Sequence, residues 1–140
     1  MFDLALLVTR LETETGYSTK LDEGQEPTGK NRTDPPTIMV GYHTIETGDI
    51  VGEDDAVLPY VAYAEELTQV FYTQFSCNII NLPIVWRNIH KAVAGWVPLD
   101  TEQGYSGVNP VKDLQKGITN GRAWWICYWK IQIPHVMSEL

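Results

Sequence analysis

The sequence predicts an α+β domain, a mostly antiparallel β-sheet with about two packed helices, and three features of the chain support this fold class. Asn120 and Gly121 favour the positive φ angles of a type I′ turn and separate two strand-like runs, which predicts a hairpin near the end of the chain. Apolar residues recur at helical spacing in two segments. The other apolar segments are short and rich in β-branched and aromatic residues, which favours strands.

These signals place the elements in the order α-β-β-β-α-β-β. The first helix is predicted over residues 2–14, and Gly16 ends it. Strands are predicted over residues 17–21, 37–45 and 66–79. The second helix and the final hairpin complete the order.

The second helix has the clearest signal in the chain. Asn81 suits the N-cap and Pro83 suits the first turn, whereas Gly95 and Pro98 end the helical pattern. The apolar stripe of this helix consists of Leu82, Val85, Trp86, Ile89, Val93 and Trp96. His90 is assigned to the opposite, polar face.

The last strand, residues 122–133, has two unlike faces because neighbouring side chains of a strand point to opposite sides. The apolar face, which we expect to join the core, carries Trp125, Cys127, Trp129, Ile131 and Ile133. The mixed face carries Trp124, Ile126, Tyr128, Lys130 and Gln132. Pro134 has no amide hydrogen for a strand ladder, so we expect it to end the strand.

The length of 140 residues predicts one domain spanning residues 1–140. Three long polar loops are predicted at residues 22–36, 46–59 and 99–110. The first of them is rich in Gly and Pro, and we expect it to be mobile in an isolated monomer.

The chain is acidic, with a formal net charge of −8 and a pI of about 4.7. Nucleic-acid affinity comes from Lys and Arg that neutralise phosphates, so this charge disfavours nucleic-acid binding as the main function. No apolar run is long enough to span a bilayer, and the first residues do not resemble a signal peptide. We therefore expect synthesis in a cytoplasm and no membrane partner.

Residue types that could act in catalysis or bind a metal are scattered along the sequence. His43, His90 and His135 have no metal-ligand spacing. The loop at residues 46–59, which we call the acidic loop, lacks the spacing of a calcium site. We therefore expect a protein that is not an enzyme and has no cofactor, metal or catalytic residues. Cys77 and Cys127 lie in strand-like runs and are expected to be reduced core thiols, with a disulfide or a metal pair as the alternatives.

The mixed face of the last strand is the best candidate for an interface. Trp124, Ile126 and Tyr128 place large apolar side chains on a face that is expected to be exposed. We predict that they contact another protein; the alternative is that a further helix of the chain covers them.

Three segments together resemble a known family. They are the helix at residues 81–95, the strand at residues 37–45 entered through Asp34-Pro35-Pro36, and the tryptophan-rich ending at residues 121–129. With the order of elements, they resemble tail terminator proteins of long-tailed bacteriophages. This family of small acidic α+β proteins is related to the minor tail protein of lambda-like phages and to its contractile-tail counterparts, and the resemblance covers nearly the whole chain.

The resemblance implies a structural virion protein in the neck region of the tail. A hexameric ring would cap the tail tube, end tube polymerisation and offer a docking surface for head and neck proteins. The implied partners are further copies of the chain, the tail tube protein, the neck or connector proteins, and the sheath where a tail has one. DNA would pass through the lumen without specific binding, because an acidic wall offers phosphates no counterion-releasing contacts.

The loops then become predicted contact arms. One loop would reach a neighbouring subunit or the tube, and the acidic loop would face the lumen or a basic partner. The loop residues assigned to contacts are Lys30, Arg32, Asp49, Glu53, Asp54 and Asp55. Two alternatives to a tail terminator stay open: another tail-completion or neck protein, and a monomeric small-molecule binding module or small enzyme.

Overall fold

A computed structural model describes residues 2–25, 31–47, 63–98 and 106–137. These residues form a five-stranded sheet and two helices, which confirms the predicted α+β fold and its order α-β-β-β-α-β-β. The elements are α1 (Leu4–Thr15), β1 (Ser18–Leu21), β2 (Thr37–Thr47), β3 (Tyr63–Asn78), α2 (Leu82–Val93), β4 (Asn109–Thr119) and β5 (Arg122–Met137). The strands lie in the order β1-β2-β3-β5-β4; β1 and β2 are parallel and the other pairs are antiparallel.

The helix ends follow local capping chemistry. The Asp3 side chain accepts a hydrogen bond from the amide of Ala5, and Gly16 ends α1 in the left-handed conformation with a φ of 75°. The predicted start of α2 is confirmed, since Asn81 is the N-cap residue and Pro83 lies in the first turn, but Asn81 has helical angles and its side chain makes no capping bond. A 3₁₀ turn at Ile79–Asn81 precedes α2, and the Asn78 side chain caps that turn by accepting from the amide of Ile80 at 3.0 Å.

The core lies between the two helices and one face of the sheet. Leucines of α1 and the stripe of α2 meet buried residues of β2, β3 and β5. The predicted apolar face of β5 is confirmed: Cys127, Trp129, Ile131 and Ile133 are buried, and Trp125 packs against the core while partly exposed. No helix of the described segments combines the length and apolarity that a membrane crossing needs.

The prediction that Pro134 ends the last strand is wrong. β5 continues to Met137, and Pro134 is paired with Glu66 of β3. β4 pairs with β5 only between Arg122 and Lys130, so the later part of β5 has β3 as its one strand neighbour among the described residues. An edge tolerates proline because the missing amide hydrogen is not needed there.

The described ends of the predicted loop 22–36 lie on the opposite face of the sheet. The Asp22 carboxylate accepts hydrogen bonds from Tyr72 and Gln74 on β3. Near the other end of the loop, the Arg122 guanidinium donates to the backbone oxygens of Asn31 and Asp34 at 2.9 and 2.7 Å. The expectation of a mobile loop is therefore corrected for its described ends, which are tied to β3 and β5.

The other two predicted loops are mostly outside the described residues. Residues 48–62 and 99–105 belong to this undescribed part. Both predicted loops are too long at one end, since β2 continues through Thr47 and β4 already begins at Asn109.

Candidate functional site

A stacked pair of aromatic rings lies under α2, at the side of the sheet formed by β4 and β5. Trp86 and His90 are one turn apart, and their ring centroids are 3.7 Å apart. The His90 ring also meets Trp129 of β5 at 4.7 Å. The assignment of His90 to the polar face of α2 is wrong: its position one turn after Trp86 places it against the sheet, although its side chain is polar.

Two residues of the sheet complete a cluster with this histidine. Asp113 of β4 is the register partner of Cys127 of β5, and both face α2. The His90 Nε2 atom is 3.9 Å from the Asp113 Oδ2 atom, and one ligand atom from each of the three residues lies within 4.8 Å of the others. The Trp86 Nε1–H group donates to Asp113 Oδ2 at 2.5 Å and so orients the carboxylate.

The cluster lies at the border between core and solvent. The side chains of His90 and Asp113 are 16% and 24% exposed, and Cys127 is fully buried. The Nε2 atom of His90 is itself buried and has no hydrogen-bond partner. A buried nitrogen without a partner is costly, so this atom is the least satisfied part of the cluster.

Burial sets the protonation states of the cluster. It lowers the pKa of His90 below its ordinary value, while the Asp113 charge opposes this shift. Burial raises the pKa of the Cys127 thiol, and the Asp113 charge raises it further. At neutral pH the imidazole is therefore neutral and the thiol is protonated.

This protonation pattern does not suit thiol catalysis. A nucleophilic cysteine must be a thiolate, and its usual neighbours are cationic. Here the neighbour is a carboxylate, which stabilises the protonated thiol. His90, Asp113 and Cys127 thus have the residue types of a catalytic triad without its electrostatics.

The predicted interface on β5 lies on the sheet face that no described helix covers. The Trp124 Nε1–H group donates to Gln74 at 2.8 Å, and the Lys116 ammonium lies 6.0 Å from the Trp124 ring centre. The Tyr128 ring contacts His43 at 4.9 Å, with the Lys112 ammonium 5.3 Å from its centre.

Ile126, between the two rings, is only 6% exposed, so its assignment to a contact surface is corrected. Strand alternation gives the direction in which a side chain points, but it does not reveal how far the flanking rings and chain segments cover it. Trp124 and Tyr128 are both partly exposed and remain available at the surface.

The loop candidates are only partly described. Arg32 is exposed and lies against the backbone of Gly121 in the β4–β5 turn. The other loop residues assigned to contacts lie outside the described residues: Lys30, Asp49, Glu53, Asp54 and Asp55. Cys77 and Cys127 are both free and buried, which confirms the expected core position of the two thiols.

Sequence reasoning missed a second group of exposed apolar side chains, which we call the isoleucine end. It consists of Ile79, Ile80, Ile84 and Ile118, which are 41%, 76%, 50% and 50% exposed. The amide of Ile79 donates to the Gly121 oxygen at 2.9 Å, which fixes the 3₁₀ turn beside the β4–β5 turn. The adjacent Ile79 and Ile80 before α2 are visible in the sequence as an apolar pair, but their exposure depends on where the sheet ends.

Comparison of the chain with models of known protein families gives no match. Comparison with curated protein sequences gives no match either.

Proposed function

We propose that this protein is a structural virion protein that caps the tail tube of a bacteriophage as a ring. In this function it ends tube polymerisation and offers the docking surface for head and neck proteins. The resemblance of its element order and its tryptophan-rich last strand to tail terminator proteins supports the proposal. The protein would reside in the neck region of the virion tail after synthesis in the host cytoplasm.

The isoleucine end is the structural observation that best supports the proposal. Four isoleucines expose much of their side chains at one end of the sheet, and Ile80 is 76% exposed. Scattered surface apolar residues are normal, but a local group of large ones marks a protein contact. A ring subunit needs such contacts with its neighbours and with the tube.

The edge strand β4 indicates how these contacts form. β4 contains Pro110 and has register shifts between Pro110 and Lys112 and between Gln115 and Gly117. Proline, bulges and lysines on an edge strand oppose strand addition by another chain. Other copies are therefore not expected to add to the sheet at β4, and side-chain surfaces such as the isoleucine end would supply the contacts on this side.

A small enzyme fits these observations less well than a tail terminator does, and another tail-completion or neck protein fits them equally well. A small enzyme using a thiol is disfavoured because the Cys127 thiol is buried and beside a carboxylate. Another tail-completion or neck protein would share the exposed apolar group. Its place in the particle, and not its fold, distinguishes it from a tail terminator.

Tail tubes assembled with and without the protein provide the test. Purified protein is added while the tube protein of the same phage polymerises, and electron microscopy measures tube length and the position of the added subunits. We expect a ring of fixed stoichiometry at one tube end and an arrest of growth. One copy per tube, or binding along the tube wall, would overturn the proposal. Growth that continues while the protein binds only finished, head-proximal ends would assign it to the neck.

A further inference from the structure

We propose that His90, Asp113 and Cys127 form a binding site for a divalent cation of the zinc type. This inference is independent of the tail-capping function. It concerns the cluster that joins α2 to strands β4 and β5. The ligand would be a borderline-soft cation, for which Zn²⁺ is the reference and Co²⁺ the spectroscopic substitute.

The donor atoms match this class of cation. An imidazole nitrogen, a thiolate sulfur and a carboxylate oxygen are the protein ligands of Zn²⁺, whereas Mg²⁺ and Ca²⁺ prefer oxygen alone. Three protein ligands leave the fourth position of a tetrahedral ion to water. The partial exposure of His90 and Asp113 gives that position a path to solvent.

The spacing of the donor atoms is close to that of a coordination sphere. Zinc bonds of about 2.0–2.3 Å place the ligand atoms of a tetrahedral site roughly 3.3–3.6 Å apart. The nitrogen and oxygen atoms are 3.9 Å apart, and all three donor atoms lie within 4.8 Å of one another. To complete the coordination sphere, the donor atoms must move closer together by less than about 1.5 Å. Rotation of side chains at the edge of the core can supply this movement.

The surroundings hold the ligands in place. The Trp86 Nε1–H group donates to the Asp113 carboxylate, and the Trp86 ring stacks on His90. Partners of this kind, which orient a ligand from outside the coordination sphere, usually affect metal affinity by about 10–100-fold. Trp129 also contacts the His90 ring, with 4.7 Å between the ring centroids.

A cation also resolves the unsatisfied atom of the cluster. The His90 Nε2 atom is buried without a hydrogen-bond partner, and the imidazole is neutral at physiological pH because burial lowers its pKa. A neutral imidazole nitrogen is ready to bind a metal without losing a proton.

The thiol must lose its proton when the cation binds. The S–H bond of Cys127 breaks, the sulfur keeps the electron pair and bonds to the cation, and one proton is released to solvent. Because the sulfur binds the cation only as the thiolate, protons compete with the cation and oppose binding at low pH. The affinity should therefore rise as pH increases through the neutral range.

The experiment uses the full chain without a histidine tag, freed of metal by a chelator. Titration with Co²⁺ is followed by the thiolate-to-cobalt charge-transfer absorption, and Zn²⁺ binding is measured by calorimetry in two buffers to count released protons. We expect one cation per chain, one proton released, tighter binding at higher pH and a melting temperature that rises with Zn²⁺ concentration.

Variants test the assignment of the ligands. Cys127→Ser should abolish the charge-transfer band, and Trp86→Phe should weaken binding by about 10–100-fold because it removes the hydrogen bond to Asp113. Cys77→Ser and His43→Gln remove a thiol and an imidazole elsewhere in the fold and should bind cobalt as the wild type does. If Cys127→Ser fails to fold, the wild-type titration still decides the matter.

Three results would overturn the proposal. The first is the absence of stoichiometric binding to the wild-type chain. The second is a charge-transfer band that disappears with Cys77→Ser, which would place the cation at the other thiol. The third is binding without proton release, which would show that Cys127 stays protonated and is not a ligand.

Discussion

Trp124 and Trp129 lie on opposite faces of β5 and differ in burial. Trp129 is fully buried, contacts His90 and donates from its indole to Thr73 at 3.1 Å. Trp124 is partly exposed, with one hydrogen bond to Gln74 and Lys116 over its ring. The same residue type thus supplies core packing at one position and a surface ring at the other.

This difference predicts unequal losses of stability. Trp129→Ala should lower the free energy of unfolding by about 3–5 kcal/mol, because it removes a packed ring from the core. Trp124→Ala should cost about 1–2 kcal/mol, since its ring is already partly in water and the main loss is the bond to Gln74. Urea unfolding of both variants measures the difference. Equal losses would mean that the two faces of β5 are equally packed.

At the scale of elements, patterns among residues close in sequence predicted the structure well, whereas contacts between residues far apart in sequence were missed. The hairpin at Asn120 and Gly121 and the stripe of α2 depend on residues close in sequence, so their signals are visible in the chain itself. The cluster of His90, Asp113 and Cys127 joins three elements and has no spacing that a motif could record. Whether β5 can continue through Pro134 likewise depends on where β4 stops pairing with β5.

The predicted loop 22–36 shows the same limit. Its composition of Gly, Pro and charged residues predicted mobility, because such segments rarely repay their ordering entropy. Its described ends are nevertheless held by Asp22 and by Arg122, a residue of β5 that is only 4% exposed. In the sequence, Arg122 looks like the ordinary polar start of a strand, and its acceptors in the loop are about ninety positions away.

Arg122 is therefore predicted to be the residue that ties this loop to the sheet. Its guanidinium donates to the Ser76 side chain and backbone at 3.1 and 2.6 Å, as well as to the loop oxygens. Arg122→Met should lower the free energy of unfolding by about 2–4 kcal/mol, because buried carbonyl groups lose their donor. Chemical denaturation measures this, with Arg87→Met on the exposed face of α2 as the control. Similar small losses in both variants would contradict the anchoring role.

At the scale of the whole molecule, the two sides of the sheet have different uses. The helices pack on one side and form the core, and the described ends of the predicted loop 22–36 are hydrogen-bonded to the other side. Strand addition at β4 is opposed by proline, bulges and lysines, so in the proposed ring we assign contact with other copies to the exposed isoleucine end. The net charge of −8 on each copy opposes association of free subunits, so apolar contacts would have to provide the cohesion of the proposed ring.

The isoleucine end should therefore be needed for assembly but not for folding. The double substitution Ile80→Ser with Ile84→Ser changes two exposed side chains, so the free energy of unfolding should change by no more than about 1 kcal/mol. Binding to tail tube ends should fall at least about tenfold, because apolar contact area between subunits is lost. Ile45→Ser is the matched control, since Ile45 is 46% exposed on β2, away from this end. Pelleting with tubes measures binding and circular dichroism measures the fold; equal binding by the double variant and the control would exclude the isoleucine end from the ring contacts.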